Sequence, residues 1–221
     1  MTESTLLIIG ASKGIGRCAV DSALEHGCSV RSMARTAGNI DLDHERVEKF
    51  SGDATDQDDV RRALDGVDAV ILALGIPSGP TQLLKQTTLF SRATRILVRE
   101  MEQNGPKRLI AVTGFGTGES RSAMNPIEQF GHRLLLGRPY ADKDVQEEII
   151  QRSELDWTIA RPTILTNRPA TGNYKILAKP ESWRNGLISR SDVAQFMVEC
   201  ALDREHLQEA PVLTGGCISA S

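Results

Sequence analysis

Thr5-Leu6-Leu7-Ile8-Ile9-Gly10-Ala11-Ser12-Lys13-Gly14-Ile15-Gly16 is the stretch whose reading decides the fold. Residues 5–9 form a short aliphatic run that reads as a buried strand. Beyond the glycines, Ile15, Cys18, Ala19, Ser22 and Ala23 recur at helical spacing, and Gly27 stands where a left-handed glycine would close the helix. Strand, glycine-rich turn and helix in that order have a specific chemical use. One glycine permits the tight turn, a second lets backbone approach a pyrophosphate, and a third lets the helix pack closely on the sheet. Free amides and the positive end of the helix dipole then face the anion. A dinucleotide-binding turn is therefore expected over Gly10, Ser12, Lys13, Gly14, Ile15 and Gly16.

Outward from this turn, strands and helices alternate. Strands are expected at Ser29–Ala34, Val47–Ser51, Asp68–Leu74, Lys107–Thr113, Asp156–Ala160 and Pro211–Thr214. Helices are expected at Asp56–Leu64, Leu83–Asn104, Asp142–Ser153 and Ser191–Leu202, the last capped by Ser191. Each parallel connection needs a crossover, so the alternation implies a parallel sheet covered on both faces. The expected architecture is α/β: one Rossmann domain over residues 1–221, a doubly wound parallel sheet with helices on both faces. Two long irregular stretches, 114–126 and 168–186, follow strands of the second half and are expected to wall a substrate pocket.

Composition sets limits on partners. The chain has 221 residues, 40% of them hydrophobic and 25% charged, with a formal net charge of −3, which argues against a general nucleic-acid binder. Its longest apolar runs, such as Leu6–Ile9 and Leu109–Val112, are far short of the roughly 20 residues that span a bilayer. Met1-Thr2-Glu3-Ser4 lacks the basic and apolar segments of a secretion signal, so a cytoplasmic location is expected, with neither membrane nor nucleic acid as partner. Cys18, Cys28, Cys200 and Cys217 contain no C-x-x-C pair and no histidine at finger spacing, and read as reduced structural thiols without a metal.

The second strand bears on the choice of cofactor. An NAD-binding unit carries Asp or Glu about 20 residues after the glycines to hold the ribose 2′-hydroxyl. Here Arg31-Ser32-Met33-Ala34-Arg35 offers no carboxylate. A guanidinium at Arg35 suits a 2′-phosphate, which it can grip as a fork, and NADP(H) is expected in preference to NAD(H).

With its G-x-x-x-G-x-G spacing, the turn resembles that of the short-chain dehydrogenase/reductase superfamily. Three further stretches are similar to the atypical, NmrA-like, NAD(P)-binding branch: Arg152-Ser153-Glu154-Leu155-Asp156-Trp157-Thr158-Ile159-Ala160-Arg161-Pro162, Lys143 with Glu147 one turn later, and Ile188-Ser189-Arg190-Ser191-Asp192-Val193-Ala194. That branch includes flavin, quinone and biliverdin-IXβ-type reductases as well as cofactor-sensing regulators. The resemblance implies that Lys13 adds positive charge near the cofactor and that Asp53 and Ala54 line the adenine. It also implies that Ala73, Leu74 and Gly75 pass backbone close to a ribose, with further cofactor contacts at Arg161, Pro162 and Thr163. Two residues depart from the branch: Ile9 stands where Thr is common, and Lys13 where Gly is common.

The superfamily's active site combines a Ser, a Tyr and a Lys four residues after the Tyr. By resemblance Thr113 takes the Ser place and Lys143 that of the Lys. Pro139 stands where the Tyr belongs, while Tyr140 lies three residues before Lys143, so the Y-x-x-x-K pattern is not met. An unactivated ketone needs a proton as the hydride arrives, whereas flavins, quinones and other conjugated acceptors spread the charge. The expected activity is thus an oxidoreductase reaction, NADPH-dependent hydride transfer to a small conjugated acceptor such as a flavin or quinone. Two alternatives remain: a ketoreductase or epimerase using Tyr140, or a non-catalytic NADP-binding redox sensor of NmrA type. Phe115, Phe130, Tyr174 and Trp183 are candidates either to stack an acceptor or to sit in the core. His132 reads equally as a surface residue or an acid, and Arg121, Arg133 and Arg138 as a substrate-facing or solvated basic face.

Overall fold

A computed structural model of the chain describes residues 4–75, 87–123 and 141–215. Eight strands form one sheet in the order β3-β2-β1-β4-β5-β6-β10-β8. They are β1 (Thr5–Ile9), β2 (Ser29–Ala34), β3 (Val47–Ser51), β4 (Ala69–Leu72), β5 (Arg108–Val112), β6 (Asp156–Pro162), β8 (Tyr174–Leu177) and β10 (Val212–Gly215). A separate parallel ribbon pairs β7 (Ile164–Thr166) with β9 (Leu187–Ser189). All pairings of the main sheet are parallel except that of β8 with β10. The order reverses direction between β1 and β4, and in open α/β sheets ligands bind at such a reversal, outside the carboxyl ends of the strands.

Strand composition follows from two-sided burial. Leu6 and Ile8 of β1 enter the apolar layer shared with α1 (Gly14–Glu25) and α5 (Arg190–Asp203). Leu7 and Ile9 enter the opposite layer, with α2 (Gln57–Ala63), α3 (Leu89–Asn104) and the helix described over 141–151, here α4. β4 and β5 divide in the same way, Ile71 and Ile110 to one layer, Val70 and Leu109 to the other. A strand covered on both faces has no solvent side, which is why these runs are continuously apolar and not alternating.

The expected elements change at several ends. β4 is shorter than Asp68–Leu74, and β6 runs two residues past Ala160. The cap of α5 is Ser189, not Ser191: Ser189 Oγ accepts from the Asp192 amide at 2.9 Å. The stretch 168–186 is only partly irregular, since it contains β8 and a 3₁₀ turn at Pro180–Ser182, while 114–123 carries a 3₁₀ turn at Gly118–Ala123. β8 escapes a sequence reading because Tyr174-Lys175-Ile176-Leu177 is an edge strand with mixed character, paired only by β10.

Two buried polar residues hold loops to this frame. Asp192 accepts from the amides of Thr171 at 2.7 Å and Gly172 at 3.0 Å and from the Ser189 hydroxyl. Burial works to raise its carboxyl, but these donors hold it below the usual carboxylate range. Arg108 is 3% exposed and donates to the carbonyls of Cys200, Asp156 and Glu205 at 2.7–3.0 Å. It thereby ties orphan carbonyls at the end of α5 to β5 and β6. Arg108→Met is expected to lower the unfolding free energy by about 3 kcal/mol, read from urea denaturation, because buried acceptors lose charged donors.

Candidate functional site

The turn after β1 is built by backbone proximity. Gly10 has φ +90°, and a Cβ there would lie 2.5 Å from the Ala73 carbonyl oxygen. A Cβ on Gly16 would collide with the Gly10 carbonyl oxygen, so α1 enters against the strand end with no side chain between them. Gly14, at φ +64°, has open space where a Cβ would stand. Lys13 is the N-cap residue of α1 but offers no side-chain hydrogen bond, and the first turn holds no acidic residue. Ser12, Lys13 and Gly14 are exposed, whereas Ala11 is fully buried. The first-turn amides of α1 therefore stand uncapped beside a strand-order reversal, a fit for a diphosphate. Ala73 donates to the Ile9 carbonyl at 2.9 Å, which brings the Ala73-Leu74-Gly75 segment alongside the turn.

Arg35 follows β2, is exposed, and its positive charge is felt by the Asp53 carboxylate. Nearby, Asp53 accepts from the amide and hydroxyl of Thr55, both at 2.8 Å. The Thr55 amide, then its hydroxyl, hold the Asp53 carboxyl below its usual range against partial burial, with Arg35 and Arg92 adding to the effect. Ala54 is buried behind it. Asp56, not Asp53 or Thr55, caps α2, accepting from the amides of Asp58 and Asp59.

Beyond the ends of β5 and β6 lies a buried polar cluster. Thr113 Oγ1 and Thr117 Oγ1 each donate to Glu147 Oε1 at 2.6 Å. Arg161 donates to both oxygens of the same carboxylate, Nε at 3.1 Å and a terminal nitrogen at 2.7 Å. Both side chains of this ion pair are 2% exposed. Arg161 also donates to the Ala210 carbonyl and stacks over Trp183. Lys143, one turn before Glu147, donates from Nζ to the Thr113 carbonyl at 2.7 Å, with the ammonium 5.0 Å from the centre of the Phe90 ring. Burial pushes this ammonium down to about 8, and Glu147 opposes the push. Asp142, at the start of α4, accepts from the Phe90 amide at 2.8 Å and thereby caps α3 from another helix.

The expected site residues thus meet different fates. Thr113 and Lys143 come together, but through the Thr113 carbonyl, because its hydroxyl proton is engaged by Glu147. The Arg161 guanidinium is turned inward, where the Glu147 carboxylate and the Ala210 carbonyl take three of its five N–H donors. The Pro162 carbonyl accepts from Phe115, and Thr163 bonds the Leu213 carbonyl through both amide and hydroxyl. Phe115 and Trp183 are core residues packed with Leu177 and Val212, and Tyr174 donates to Glu199. Arg121 is ion-paired with Asp144. Tyr140, Phe130, His132, Arg133, Arg138 and Cys217 lie outside the described residues. Thr117, Gly118 and Asp142 escaped the sequence reading, since each acts across 26 or more positions. Glu147 had one legible signal, its spacing from Lys143 on a helix face. Among the described residues no group of metal-ligating side chains is assembled, and no helix is long and apolar enough to cross a membrane.

Sheet order, reversal point and glycine turn define a dinucleotide-binding Rossmann protein. More particularly, the chain belongs to the NAD(P)H-binding family, whose pattern matches residues 10–204. An uncharacterised chloroplastic protein of Arabidopsis thaliana is 27% identical over 207 residues, which is 90% of this chain and 72% of the plant protein. Sterol demethylase protein B of Methylococcus capsulatus is 30% identical over 116 residues, 51% of this chain and only 35% of that protein. ChuY of Escherichia coli O157:H7, described as an anaerobilin reductase, has the same fold, with a TM-score of 0.77 at 24% identity over 99% of this chain and 100% of its own. A wide-type short-chain dehydrogenase/reductase of Veillonella parvula, solved in complex with NADP, gives 0.78 at 17% identity over 97% and 95%.

Gly16→Ala is expected to abolish dinucleotide binding in calorimetric titration and to cost about 2 kcal/mol of stability, because the added methyl meets backbone that cannot yield.

Proposed function

We propose that the protein is an NADPH-dependent reductase that passes hydride to a small conjugated acceptor such as a flavin or quinone. The observation that carries the acceptor class is the engaged Thr113 hydroxyl: its proton points to Glu147 and is not offered to a substrate carbonyl. A ketone would need that polarisation together with a proton donor, whereas a conjugated acceptor needs chiefly positioning. The likeness of fold to a protein described as an anaerobilin reductase agrees with a reductase role.

The chemistry such a dinucleotide supplies when bound is hydride transfer. This chain's residues bind and orient it. In this reading the amides of Ser12, Lys13, Gly14, Ile15 and Gly16 receive the pyrophosphate, Gly10, whose own amide donates to the Met33 carbonyl at 3.0 Å, lets the backbone turn beside it, and Asp53 with Ala54 borders the adenine. Ala73, Leu74 and Gly75 lie along a ribose, and Pro162 and Thr163 contribute backbone near the nicotinamide end. Arg35 and Lys13 face the 2′-phosphate, supported by their exposure and by the absence of a carboxylate at the end of β2. Lys143 touches the cofactor from α4. The acceptor enters between the segments 114–126 and 168–186 of a single domain that works in the cytoplasm.

Purified protein mixed with NADPH and a panel of flavins and quinones should oxidise the nicotinamide, followed by loss of its near-ultraviolet absorbance. Absence of turnover with every acceptor overturns the reading. Tyr140→Phe should leave that turnover nearly unchanged, and its loss would favour a ketoreductase-type mechanism. Arg35→Ala should weaken NADPH binding by about 10- to 100-fold while leaving NADH nearly unaffected, as measured by titration of each nucleotide.

A further inference from the structure

Glu147 has four hydrogen bonds from three side chains on two segments, the loop after β5 and β6, and none of them comes from its own helix. A carboxylate this deeply buried is costly unless paired and fully satisfied, and Arg161 with the two threonine hydroxyls meets that condition. The same helix face also holds the loop after β5. Lys143 binds the Thr113 carbonyl, Asp144 accepts from the Gly118 amide at 2.8 Å, and a Cβ on Gly118 would sit 2.5 Å from Glu147 Oε2. Thr113 is therefore gripped at two points, its carbonyl by Lys143 and its hydroxyl by Glu147.

We propose that Glu147 is the positioning residue for Lys143: through Thr113 it fixes the carbonyl on which the ammonium rests, and its negative charge keeps that ammonium available to the bound dinucleotide. The inference rests on the reading that Lys143 touches the cofactor. Among the described residues, the surroundings of the ammonium leave Glu147 as the acidic group able to do this. Asp142 is turned to the amides that open α3, and Asp144 to Gly118 and Arg121. From α3 comes the uncharged Phe90 ring, from β5 the Thr113 carbonyl, and from β6 the Arg161 cation, which lies behind Glu147 and is paired with it. Burial drives the ammonium toward the neutral form and Glu147 opposes it.

The test is the dissociation constant of NADPH from pH 6 to 10 for the wild type, Lys143→Met, Glu147→Asp and Glu147→Gln. Wild-type affinity should fall as pH rises through about 8, as Lys143 loses its proton. Glu147→Gln keeps an acceptor for the threonines but lacks the charge, and should move this fall down by about one pH unit. Glu147→Asp, which keeps the charge, should move it far less. Because a neutral Gln strands the Arg161 cation, the double variant Glu147→Gln/Arg161→Gln provides a foldable counterpart, in which a smaller shift in the same direction is expected. A fall that stays at the wild-type pH in both charge-removing variants overturns the inference alone. A flat wild-type profile, unchanged by Lys143→Met, overturns the Lys143 reading and the inference with it.

Discussion

No side chain fits between Gly16 and the carbonyl of Gly10, and the molecule is arranged around that constraint. Because the first turn of α1 lies directly on the end of β1, its amides project past the sheet edge with neither a capping side chain nor an acidic residue to receive them. Gly10 extends the same economy of space to the chain just past β4, where the Ala73 carbonyl oxygen would lie 2.5 Å from a Cβ. The ends of β1 and β4 and a helix terminus thus meet where the strand order reverses. An anion is the complement that such a place lacks.

The second organising feature is electrostatic and lies deeper. Glu147 and Arg161 form an ion pair almost without solvent contact, and such a pair persists only when the remaining donors and acceptors are met. Thr113, Thr117 and the Ala210 carbonyl meet them. This cluster joins α4, β5, β6 and the loop that follows β5, so the helix that carries Lys143 is fixed by groups that never reach the surface. It also changes the chemistry available: a hydroxyl that resemblance would assign to a substrate carbonyl is bound to a carboxylate. The same inward pull holds the Arg161 guanidinium against Glu147 and the Ala210 carbonyl.

Arg35 and Lys13 behave differently. Both are exposed, Arg35 at the carboxyl end of β2 and Lys13 in the glycine turn, where cationic side chains face solvent and not one another's counter-ions. Asp53 feels Arg35 without bonding to it. In the proposed function, a basic rim of this kind beside an uncapped helix start receives a 2′-phosphate where a carboxylate would hold a ribose hydroxyl.

Local pattern alone determined the architecture: β1, the glycine turn, α1 and the alternation of apolar runs with amphipathic segments were legible because strand burial and helix periodicity are written over a few consecutive residues. The same holds for the uncapped turn, since each glycine there answers a local backbone demand. Tertiary structure decided what Thr113, Glu147, Arg161 and Trp183 do. Their partners lie 14 to 34 positions away in the cases of Glu147 with Arg161 and with Thr113, and whether a polar group faces a ligand or a buried counter-charge depends on which segments the fold brings together. Ser189 shows the same limit on a smaller scale. Two serines stood near the start of α5, and only the path of the chain out of β9 selected the one whose oxygen meets the Asp192 amide.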